Sequence, residues 1–152
     1  MNSSARFARR AVAALTIGLA LGLVPAAGQA LADDGGRPLA TALSGAEEVP
    51  AGDPFGSGTA SIRVNPGQGE VCYELTVANL MGTVVAAHIH RAPAGVNGPV
   101  VVPLAAPVTG SSAACAAVER ALALDILRNA ADYYVNVHTN VFPGGAVRGQ
   151  LG

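Results

Sequence analysis

Three histidines, His88, His90 and His138, are the side chains in this chain best suited to hold a transition metal. His88 and His90 stand two apart in a strand-like run, so they project from one face. His138 lies near the end of another such run. In both runs the aliphatic residues take the alternate positions. The imidazoles therefore point away from the core, toward solvent or a covering loop. Two imidazoles on one strand and a third from a nearby strand can chelate one ion, and imidazole suits copper, zinc and nickel. The alternative is three polar side chains on a solvent face, hydrogen-bonded to backbone or loop. Cys72 and Cys115 are the only cysteines. A redox-active pair needs closely spaced cysteines and an activated thiolate. These two are far apart and read as a structural disulfide, closing a loop worth up to about 4 kcal/mol by chain entropy. No Ser/His/Asp or Cys/His constellation stands out. Glu47 and Glu48 point to opposite sides of an extended strand and make a poor acid/base dyad. Glu74 and Asp132 are single acids.

Composition narrows the setting for this chemistry. Of 152 residues, 51% are hydrophobic and 12% charged, which excludes a disordered chain. A net charge of −1, with Arg as the only basic residue, gives no electrostatic reason to bind nucleic acid. Residues 1–32 read as a signal peptide. Arg6, Arg9 and Arg10 precede an apolar run from Ala11 to Val24, short for a membrane span, and Ala30-Leu31-Ala32 is a small-x-small cleavage signal. Cleavage after Ala32 leaves six Arg against ten acids, a net charge of −4. The mature chain has no second apolar stretch long enough to span a bilayer. It is expected to be secreted, where disulfides persist.

The elements that must carry the histidines are strands. Period-2 alternation recurs. Ala60, Ile62 and Val64 lead through the Asn65–Gly69 turn to Val71, Tyr73, Leu75 and Val77. Val85, Ala87 and Ile89 alternate with His88 and His90. A Gly- and Pro-rich loop, Ala92–Pro99, precedes the buried run Val100–Val102. Tyr133, Val135 and Val137 alternate with Tyr134, Asn136 and His138. The turn Phe142–Gly145 leads into Val147, Gly149 and Leu151, with Arg148 and Gln150 between them. If that turn closes a hairpin, Arg148 shares a face with His138. Leu122, Leu124, Ile126 and Leu127 suit a short helix, Ala121–Asn129, with Asn129 as its stop. Residues 33–38 read as a flexible lead-in. The sum is an all-β sandwich or barrel with one short helical segment.

Five ordered segments are similar to the CHRD (chordin-like) domain: Leu43–Pro50, Ala87–His90, Gly98–Val102, Tyr133–Thr139 and Phe142–Leu151. The resemblance covers about 39–151, and a CHRD domain over 39–152 is the expected organisation. It implies an immunoglobulin-like, Greek-key barrel, but little about activity. Chordin binds secreted growth factors, and a short single-copy chain gives no reason to transfer that partner. A fainter resemblance is to copper-zinc superoxide dismutases, which carry His-x-His on one strand and Val-x-His later, on the outer wall of a Greek-key barrel. It implies His88, His90 and His138 as copper or zinc ligands. It makes Arg148, in a late strand, a candidate for a supporting or substrate-side role, and Asn136 is a further candidate because it lies on the strand and face of His138. No fourth His is present to bridge to zinc. Two readings follow. One is a non-enzymatic binding or envelope-associated module with a protein or small-molecule partner. The other is a copper or zinc protein, superoxide dismutase-like in its strongest form.

Overall fold

A computed structural model describes residues 36–152. The expected signal segment and Asp33–Gly35 lie outside the described residues. The elements run β1 (Arg37–Ser44), β2 (Ser57–Asn65), β3 (Glu70–Ala78), β4 (Val84–Arg91), β5 (Val100–Leu104), β6 (Ser111–Ala117), α1 (Arg120–Arg128), β7 (Tyr133–Thr139) and β8 (Val147–Gln150). The eight strands form one antiparallel sheet in the order β5-β4-β7-β8-β1-β2-β3-β6. The sheet curls until its edges approach. Ser112 on β6 donates to the Ala105 carbonyl just past β5, and Tyr73 Oη accepts from the Ala105 N–H. The result is a nearly closed barrel with one short helix.

Alternation decides the faces. Ile62, Val64, Val71, Leu75, Ile89, Val102, Val135, Val137 and Val147 all point inward and are buried together. Each such aliphatic side chain contributes about 1.5–3 kcal/mol over its exposed state. From α1, Ala123 and Ile126 join the same cluster, with Leu122 and Leu127 partly buried beside them. Asn129 ends that helix as expected, its N–H bonding the Asp125 carbonyl.

Several expectations need correction. Arg37 and Pro38 are not lead-in: they pair with Val64 and Arg63 as the start of β1. Neither β1 nor β6 was evident from alternation. Val100–Val102 is not a buried run, because only Val102 is fully inside and Val100 is exposed. A register shift between Val84 and Ala86 turns Val84 onto the core and leaves Val85 exposed. Glu47 and Glu48 do not follow an extended strand. A 3-10 turn at Gly45–Glu47 sends Glu47 outward and Glu48 inward. Cys72 and Cys115 face each other directly across β3 and β6 and are bonded, S–S 2.01 Å.

Candidate metal centre

Because aliphatic residues claim the inner positions of β4, β7 and β8, their alternate residues meet on the outer wall. Register sets who neighbours whom. His88 lies opposite Asn136, which lies opposite Arg148. His90 lies opposite Tyr134, which lies opposite Gln150. His138 pairs with Ala86, one step along. This wall is roofed. The loop between β4 and β5 folds over it, and Gly98 approaches the Arg91 carbonyl so closely that no Cβ would fit. His90 is consequently only 9% exposed, while His88 and His138 are half-buried.

The hydrogen bonds assign the tautomers. A carbonyl can only accept, so His138 Nδ1–H donates to Pro143 O at 3.0 Å, and its Nε2 carries the lone pair. That Nε2 lies 3.1 Å from His88 Nδ1. His90 Nδ1–H likewise donates to Gly98 O at 2.8 Å. In the neutral ring its Nε2 is then a lone pair, buried and without a hydrogen-bond partner among the described residues. One nitrogen from each ring lies within 4.8 Å of the other two. Two nitrogens on one tetrahedral ion, each at about 2.0–2.1 Å, stand roughly 3.4 Å apart, so from within 4.8 Å the ligand atoms would close by at most about 1.4 Å. Burial holds the pKa of His88 below the usual histidine value, aided by His138 and His90. Burial also lowers that of His138, outweighing its bond to Pro143, and His90 adds to the effect. Both rings are thus neutral at pH 7, the state a metal needs. An all-nitrogen donor set fits copper or zinc and not magnesium or calcium.

The surroundings fix the rings and the roof. His90 stacks on Tyr134 with centroids 4.8 Å apart. The Arg148 guanidinium lies 3.3 Å above the other residue of that stack, the Tyr134 ring centroid. Its nitrogens donate to the Val96 and Pro93 carbonyls at 3.0 and 3.1 Å. Gln150 holds the Ala92 carbonyl, and Asn97 ties the roof to Val49. Arg148 is 1% exposed. It shares the histidine face, as the hairpin geometry required, and it clamps the roof from below. Asn136, 2% exposed, sits between His88 and Arg148 with its Oδ1 unpartnered among the described residues.

Sequence reasoning set Glu48 aside with Glu47 as a poor acid/base pair and did not foresee its burial. It is 5% exposed and packs against Gly145, whose φ of 138° and lack of a Cβ leave space for the carboxyl. Burial raises its pKa to about 7, against the opposing pull of Arg148 and a hydrogen bond from Asn136. Nothing in its spacing marks it, since its neighbour Glu47 is exposed.

The family model of the CHRD domain matches residues 39–151, and the chain belongs to that family. No curated protein and no solved structure matches the chain.

Proposed function

We propose that this chain is an exported CHRD-domain binding module whose bound species is a copper or zinc ion held by His88, His90 and His138. One observation carries the reading. His90 turns its Nδ1–H outward to a backbone carbonyl and leaves Nε2 as a buried, unpartnered lone pair beside two further imidazoles. A buried acceptor without a donor costs about 1–3 kcal/mol, and an ion at that point removes the cost. The carbonyl bonds at His90 and His138 are the outer partners that orient metal-binding imidazoles. Such an ion would supply Lewis acidity, and copper a one-electron couple. The protein's own part is to hold the three rings with one nitrogen each turned to a common point, and to roof them.

The binding reading is favoured over dismutase-like turnover. Arg148 is consumed by the roof, and the chain has no fourth His to bridge a second metal. Export is part of the proposal. It rests on the signal-like residues 1–32, and the Cys72–Cys115 disulfide fits an oxidising compartment. Among the described residues no helix is long and apolar enough to cross a membrane. The sheet-crossing connections β3 to β4 and β6 to β7 in the strand order support an immunoglobulin-like, Greek-key arrangement of this barrel.

The test is equilibrium dialysis of the mature, metal-stripped chain against Cu(II) and Zn(II), followed by metal analysis. One ion per chain is expected, and none when all three His are replaced by Ala. Equal binding by parent and triple variant would remove the metal and leave a module for another partner.

A further inference from the structure

A second cluster of metal-ligating atoms lies on a different wall of the barrel, on the outer face of β3 and β6. The inner face of β3 is taken by Val71, Tyr73 and Leu75, so Glu70 and Cys72 both project outward. Cys115 faces Cys72 across the ladder from β6. A Glu70 carboxylate oxygen and the two sulfurs all lie within 4.8 Å of one another. Cys72 is buried and Glu70 half-buried, but Cys115 is open to solvent on an edge strand. Arg63 stands directly opposite Cys72 on β2, a position where positive charge favours thiolates. As a disulfide the sulfurs are poor ligands. As thiolates they would form, with Glu70, the donor set S₂O.

We propose that Cys72, Cys115 and Glu70 form a redox-gated site for a zinc-like divalent cation, closed while the disulfide is intact and opened by a dithiol reductant. The sulfur of the exposed residue, Cys115, is the one attacked. A thiolate of the reductant bonds to Cys115 Sγ, the Cys72–Cys115 bond breaks and Cys72 leaves as the thiolate. The second thiol of the reductant then closes its own disulfide and releases Cys115. Two electrons pass to the protein and the dithiol is oxidised. Cation binding sends the remaining thiol protons to solvent. Two thiolates, one carboxylate and a water suit tetrahedral zinc at an exposed site. The β3–β6 register, which includes Glu70 with Ala117 and Thr76 with Ser111 beside the cysteine pair, keeps the two sulfurs opposed after reduction. This proposal does not rest on the histidine site.

Cobalt(II) reports it, because only thiolate ligands give an intense near-ultraviolet charge-transfer band. The mature chain is loaded with Co(II) before and after reduction by tris(2-carboxyethyl)phosphine, with circular dichroism recorded alongside. The band and one additional Co(II) per chain are expected only in the reduced form. Glu70→Gln should keep the band but weaken binding about 10–100-fold, a range typical of disturbed metal sites. Cys115→Ser should weaken it at least as much. A folded reduced chain without the band, a Glu70→Gln variant that binds like the parent, or loss of the β spectrum on reduction would each overturn the proposal.

Discussion

His90 and His138 differ in what replacement should cost. His138 is half-buried, so His138→Ala should weaken copper binding while leaving the His88 and His90 nitrogens to hold the ion, with a small loss of stability. His90 is buried and stacked on Tyr134, so His90→Ala should abolish binding and also lower the melting temperature. Copper titration and thermal melts of both variants check this. Acid should empty the site, since protons compete for the same nitrogens. Because His88 and His138 titrate below the usual value of about 6.5, occupancy should hold at pH 6.5 and fall only below it. Glu48 gives a pH effect of opposite sign. Its folded pKa, about 7, lies above the unfolded value of 4.5, so the folded chain holds a proton that the unfolded chain releases. Stability from Glu48 is therefore present below pH 4.5 and lost as pH rises through about 7. Glu48→Gln should leave stability unchanged at pH 4 and raise it at pH 8 by up to about 3 kcal/mol, read from urea midpoints. The lowered histidine pKa values act the other way in the parent, losing stability as pH falls below 6.5, and are common to both chains.

The roof depends on Arg148 as a two-pronged donor, which a Lys cannot reproduce. Arg148→Lys should loosen the β4–β5 loop, raising amide exchange around Val96–Gly98 while β2 and β3 stay protected. Copper affinity should fall about tenfold as His90 loses its fixed carbonyl partner. Strand β6 is held by its ladder to β3 as well as by the disulfide. Replacing both cysteines by Ser should therefore lower the melting temperature without unfolding the chain, a loss of about 2–4 kcal/mol. The contrast between strands explains what could be read beforehand. β2, β3, β4, β7 and β8 alternate Val, Ile, Leu or Tyr with polar residues, and each was legible. β6 is Ser, Ala and Cys throughout, residues too small and neutral to mark a face. β1 begins at Arg37-Pro38, which resembles a linker until β2 pairs with it.

The antiparallel pairing of β4 with β7 is what brings residues 50 apart in sequence, His88 and His138, to 3.1 Å. That convergence was partly legible. The shared face of His88 and His90 follows from strand geometry alone, whereas the β4–β7 pairing that adds His138 is tertiary. The roof was invisible, because a loop of Gly and Pro shows no periodicity to say where it folds. Glu48 was invisible for the same reason, its burial set by Gly145 nearly a hundred residues away. The three-histidine site is tested most directly by one spectrum: electron paramagnetic resonance of the mature chain with one equivalent of Cu(II) at pH 7. It predicts a single type of Cu(II) with nitrogen superhyperfine coupling from three imidazoles, reduced to two in His138→Ala. A spectrum of free or heterogeneous copper, or one unchanged by His138→Ala, would contradict it.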